Sequence, residues 1–241
     1  MKNIIFLIDA QKGASGGGKV IYQYSNFINS LKGYSSSVIH VKKKKLNKIL
    51  NSINKKFKGR LNKTKYSGWN FKDITVKKDY NFSWFNIKIK TKKKNIITYM
   101  PRKLKKHSEL VVSFLKNYLP KKWKLKPLIN LSDKEVYKNL AESKIFLAFS
   151  ELEGLPLPPV EAAISGNKVI GYTGEGGKEY WRKPIFIEIK SSEIKDFCKK
   201  ILINLNLKNF IKNSSKQRKK LSNMFSLEEE HNSIKNFLKK I

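Results

Sequence analysis

The chain has 241 residues and a mass of 28.0 kDa, and its 52 lysines and arginines against 18 aspartates and glutamates give a formal net charge of +34. With 40% hydrophobic and 12% aromatic residues it has enough apolar material for a packed core, which excludes a disordered polybasic tail. Its longest apolar runs, 4–8 and 145–149, are too short for a membrane-spanning helix, and the single Cys198 excludes an internal disulfide or a cysteine zinc cluster.

In chain order, Asn3 to Asp9 reads as a buried strand. The start, Met1-Lys2-Asn3, leads into an apolar stretch that Asp9 interrupts before any small-residue cleavage site, so the expected compartment is the cytoplasm. A glycine loop comes next, and Lys19 to Leu31 places Val20, Phe27, Ile28 and Leu31 at helical spacing. Ser37 to Val41 is a second strand. Residues 42–94 are lysine-rich with scattered aromatics, and no topology can be assigned to them.

Periodicity returns at Asn95. Strands are expected at Ile96 to Met100, Trp123 to Ile129, Ile145 to Phe149, Lys168 to Tyr172 and Ile185 to Ile189. Helices are expected at Ser108 to Tyr118, Asp133 to Ser143 and Pro159 to Ser165, with more helix toward the C-terminus. Alternating strands and helices give an α/β chain with parallel sheets, in which ligands bind outside the carboxyl ends of the strands. The expected division is a reduced N-terminal α/β lobe over 1–94 and a Rossmann-like domain over 95–241.

The charge is almost all lysine, since Arg60, Arg102, Arg182 and Arg218 are the arginines. Sequence-reading nucleic-acid proteins favour arginine for bidentate contacts, so no specific nucleic-acid partner is expected. The lysines form a delocalised field that attracts polyanions and an anionic membrane surface without specificity.

Most of the glycines fall within Gly13–Gly18 and Gly154–Gly177, and both stretches come after expected strands. The first, Gly13-Ala-Ser-Gly16-Gly17-Gly18-Lys19-Val20, is one residue short of a P-loop, because Val20 has no oxygen for Mg²⁺. Its consecutive Gly16, Gly17 and Gly18 suit close approach of phosphates or sugar to the backbone, although a plain strand-to-helix turn also accounts for them. The second stretch lies in Glu151 to Glu179, which holds five acids and only Lys168 and Lys178. Its centre reads Glu153-Gly-Leu-Pro-Leu-Pro-Pro-Val-Glu161. On its own residue type and position Glu161 reads first as a first-turn carboxylate compensating the helix macrodipole.

The run Phe149-Ser-Glu-Leu-Glu153-Gly-Leu-Pro-Leu-Pro-Pro-Val-Glu161-Ala-Ala, then Gly166-Asn-Lys-Val-Ile-Gly171 and Gly176-Gly177-Lys178-Glu179, resembles the donor half of GT-B retaining glycosyltransferases of the group 1 or GT4-like family. Tyr99-Met-Pro101-Arg102-Lys103 and Gly16 to Val20 agree with it. The resemblance covers 95 to about 185 well and 1–41 in part, and fails between them.

It implies a GT-B-like fold and transfer from a UDP- or GDP-sugar, as substrate and with no cofactor, to a glycan or lipid-linked acceptor. It places Glu153 at the transferred sugar and diphosphate and Glu161 on the ribose hydroxyls. Arg102 and Lys103 would neutralise the diphosphate together with backbone N–H groups near Gly154 and Leu155. Gly176 and Gly177 would turn closely beside the donor. Asp9, Asp73, Asp79, Asp133 and Asp196 form no Asp-x-Asp pair, so no metal site is expected. None of His40, His107 and His231 matches the family's acceptor-side histidine. The expected setting is envelope polysaccharide synthesis in the cytoplasm, peripheral to the membrane. The alternative is a non-catalytic basic protein that keeps a donor lobe and binds nucleotide or polyanion.

Overall fold

The computed structural model describes residues 1–9, 16–41, 91–102 and 104–241. Its chain contacts divide into two compact units, 1–81 with 227–241, and 82–226. The division expected at residue 94 left 227–241 with the C-terminal half, whereas their contacts group them with the N-terminal unit. The expectations for 42–90 lie outside the described residues.

In the first unit β1 (Lys2–Asp9) and β2 (Tyr34–Val41) pair in parallel, from Lys2 opposite Tyr34 to Asp9 opposite Val41, with α1 (Gly16–Asn29) in the connection. Two local facts move the element bounds. Asn29 extends β2 into the serines that break its apolar pattern, because its side-chain amide donates to the Ser36 carbonyl at 3.1 Å and accepts from the Ser36 N–H at 2.6 Å. Helix α1 begins at Gly16, so Gly16, Gly17 and Gly18 form its first turn and not the expected loop. A first turn needs few intrahelical N–H partners and no packed side chain, so helix can extend ahead of the apolar pattern. Tyr22, Ile28, Ile39 and Val41 are buried, and the Tyr22 hydroxyl meets Nε2 of the buried His40 at 2.5 Å.

The C-terminal helix is α8 (Leu227–Leu238). His231 stacks on Phe27 with ring centroids 3.6 Å apart, the Lys235 ammonium lies 5.9 Å from the Phe27 ring centroid, and the Tyr34 hydroxyl donates to the Leu238 carbonyl.

The second unit runs β3 (Ile96–Tyr99), α2 (Lys105–Tyr118), β4 (Lys124–Pro127), α3 (Asp133–Glu142), β5 (Ile145–Glu153), α4 (Leu157–Ile164), β6 (Lys168–Glu175), a 3-10 turn (Gly176–Glu179), β7 (Phe186–Glu188), α5 (Ile194–Ile203), α6 (Phe210–Asn213) and α7 (Ser215–Met224). The strands form one all-parallel sheet in the order β4-β3-β5-β6-β7. Both faces are covered, which is why β5 opens as an unbroken apolar run. Ile145, Leu147 and Phe149 pack with Val111 and Leu115 of α2 and Phe197 and Ile201 of α5. Phe146 and Ala148 pack on the other face with Leu140 of α3, Val160 and Ile164 of α4, and Leu221 of α7.

The edge strands β4 and β7 are shorter than expected. Each has one neighbour, and Pro127, which cannot donate to a ladder, ends β4. Helix α3 starts where Ser132 and Glu135 form a capping box, with the Ser132 N–H donating to the Glu135 carboxylate at 2.8 Å. At the amino edge Lys93 donates to the Leu140 and Ser165 carbonyls at 2.8 and 2.6 Å, at the ends of α3 and α4. Among the described residues no helix is long and apolar enough to cross a membrane.

Candidate functional site

The second unit winds outward from β3, first to β4 on one side and then through β5, β6 and β7 on the other. Connections therefore leave β3 and β5 toward opposite faces of the sheet, and in open α/β sheets the carboxyl ends of two such strands are where a ligand crevice forms. Two sequence motifs end there. The β3 chain continues into the turn that carries Arg102, and β5 continues through Glu153 into Gly154, Leu155 and Pro156.

Arg102 is exposed and makes no ion pair among the described residues, so its guanidinium is available to an anion. Lys103 lies outside the described residues. On the other side β5 runs four residues past Phe149. Its register with β6 shifts between Ser150, opposite Thr173, and Glu153, opposite Glu175, so β5 spends one more residue than its neighbour. Such a bulge bends the end of a strand and re-aims the residues beyond it. Glu153 is half-buried there.

The glycines divide into two kinds. A Cβ on Gly176 would lie 1.7 Å from the Gly154 carbonyl oxygen, and one on Gly177 would lie 3.3 Å from Pro156. Gly176 is therefore required by the close approach of the β6 end to the β5 end. Gly154 differs, because a Cβ there would meet nothing within 4 Å. Among the described residues no neighbour demands glycine at 154, and the space beside it is open.

Tyr180 fastens the loop. Its hydroxyl donates to the Pro156 carbonyl at 2.7 Å, and burial first, then the charges of Glu153 and Glu179, push its pKa well up. The tyrosine thus stays a neutral donor. Sequence reasoning passed over it, although an aromatic directly after Gly176-Gly177-Lys178-Glu179 was the available signal.

Glu161 is placed differently from the expectation. Helix α4 begins at Leu157, two residues earlier than expected, so Glu161 stands in its second turn and does not oppose the macrodipole from the first. Pro158 and Pro159 occupy the first turn and have no N–H, which leaves the N–H groups of Gly154, Leu155 and Leu157 as donors from this connection. Burial, and then the charge of Asp133 at the start of α3, raise the Glu161 carboxyl to a pKa of about 7. Asp133 is the second residue that sequence reasoning did not bring to the site, and the Ser132 to Glu135 capping box was its signal.

The unit thus brings together Arg102, Glu153, Gly154, Leu155, Gly176 and Gly177 at the carboxyl edge, with Glu161 behind them on α4. Gly16, Gly17 and Gly18 belong to the other unit. Among the described residues no three acids, histidines or cysteines stand close enough to hold a metal ion.

No protein-family model matches the chain, and no curated protein matches it. Among solved structures, the crystal structure of TarM, a glycosyltransferase, is similar to it at 17% identity and a TM-score of 0.49. That similarity covers 98% of this chain and 49% of the other, so the chain spans about half the length of TarM.

Proposed function

We propose that the chain is a glycosyltransferase that takes its sugar from a UDP- or GDP-sugar. It passes the sugar, with retention and without a metal ion, to a glycan or lipid-linked acceptor in envelope polysaccharide or lipopolysaccharide synthesis at the cytoplasmic face. The observation that carries this reading is the coincidence of the sheet's switch point with the two motifs, Arg102 after β3 and Glu153-Gly154 after β5.

Departure of a nucleoside diphosphate leaves negative charge on its phosphates, and the site must stabilise that charge as it grows. Arg102 supplies a fixed cation, with Lys103 next to it in sequence. Backbone N–H groups of Gly154, Leu155, Gly176 and Gly177 add donors at the ends of β5 and β6. The open space at Gly154 lets the phosphates approach the main chain. Glu161 accepts from the ribose hydroxyls, and Glu153 holds the transferred sugar.

The test is turnover. With UDP- and GDP-sugars, and with saccharide or lipid-linked acceptors, the wild-type chain is expected to release nucleoside diphosphate and form glycoside in the presence of EDTA. Glu153→Ala is expected to lower that rate by at least about a hundredfold. Nucleotide binding with neither hydrolysis nor transfer would favour the non-catalytic donor lobe instead.

A further inference from the structure

Helix α2 carries an apolar stripe that the fold does not use. Leu110, Phe114 and Tyr118 are 49%, 52% and 68% exposed and recur every four residues, so they line one side of the helix. At 100° per residue this stripe is bordered on one side by the buried face of Val111 and Leu115 and on the other by Lys106, while Lys105 and Lys116 lie on the opposite side of the helix. Exposed Lys121 and Lys122 come just after the helix. Glu109 is the one acid in α2, and Lys105 pairs with it at 3.7 Å. Alongside, α5 packs against α2 and adds exposed Lys195, Lys199 and the 63% exposed Ile203.

We propose that this face is a docking surface for an anionic phospholipid bilayer, with α2 lying in the plane of the interface. Leucine and phenylalanine gain by leaving water for hydrocarbon, tyrosine suits the headgroup level, and flanking lysines reach lipid phosphates while their stems cover apolar surface. A second copy of the chain would set lysines against lysines on two molecules of +34 each, which disfavours self-association through this face. Nucleic acid would satisfy the lysines but offers no hydrocarbon to Leu110 and Phe114.

Charge alone draws this protein to anionic vesicles, so the experiment reads insertion. The full chain is sedimented with vesicles of phosphatidylcholine containing about one third phosphatidylglycerol, in low salt and in about 0.5 M NaCl. The wild-type chain is expected to keep binding in the high salt. The Leu110→Ser, Phe114→Ser, Tyr118→Ser triple variant is expected to lose at least about tenfold in affinity there, with unchanged circular dichroism and melting temperature. A Phe114→Trp variant is expected to show additional quenching by brominated lipid over the native tryptophans. Equal high-salt affinity of wild type and triple variant, or an unquenched Trp at 114, overturns the proposal. So does a wild-type dimer that the triple change turns into a monomer while vesicle binding stays the same.

Discussion

Glu161 shows how environment changes what one carboxyl group can do. A helix-start carboxylate on the surface would be ionised throughout the neutral range, but burial in α4 and the charge of Asp133 raise this one to about 7. Because the folded pKa is raised, the unfolded chain loses this proton first as pH rises. The nucleotide-free protein should therefore lose stability between about pH 4.5 and 7 on account of Glu161, and Glu161→Gln should remove that contribution. Ribose hydroxyls donate to the ionised form, so affinity for the nucleoside, which carries no titrating phosphate, should rise through about pH 7 in the wild-type chain and stay flat in Glu161→Gln. Thermal melts and binding isotherms across this pH range check both halves. Wild-type affinity that falls over the same interval would contradict the assignment of Glu161 to the ribose.

At the scale of elements, two glycines in the same crevice are predicted to respond in opposite ways. Gly176→Ala forces a Cβ against the Gly154 carbonyl, so the β5 and β6 ends must shift apart, and a loss of about 2 kcal/mol or more is expected. Gly154→Ala meets no protein atom and should stay within about 0.5 kcal/mol of wild-type stability while weakening nucleoside diphosphate binding. Chemical denaturation and calorimetry on the two variants separate packing from ligand contact. Gly154→Ala that binds as tightly as wild type would remove this glycine from the site.

The same scale shows what the sequence could reveal. The two-sided burial of the central strands wrote itself into apolar runs such as 145–149, and alternation with helical periods made the parallel sheet legible. The ends of elements were not written in these signals. Helix α1 takes in Gly16 to Gly18 ahead of its apolar pattern, and β2 runs through serines because Asn29 holds the Ser36 backbone. The candidate site was legible as motifs, since Arg102 and Glu153 each come directly after an apolar strand pattern, while the adjacency of those strands came from the sheet order. It was not legible as packing, because the reason for Gly176 is the Gly154 carbonyl and the anchor of the loop is Tyr180.

For the whole molecule, an α/β unit with an exposed arginine at its switch point belongs to a chain of +34. General attraction to anions must therefore be told apart from a built site. Screening does so, because a delocalised lysine field weakens steeply with salt, whereas base, ribose and diphosphate contacts in a crevice persist. The most direct measurement is calorimetry with UDP and GDP in EDTA at moderate salt, on wild type, Arg102→Ala and Glu161→Ala. One nucleoside diphosphate is expected to bind per chain. Arg102→Ala should weaken the diphosphate far more than the nucleoside, and Glu161→Ala should weaken both by about 1 to 3 kcal/mol. Unchanged affinity in both variants, or binding that disappears with salt alike in all three proteins, would contradict a nucleotide site between β3 and β5.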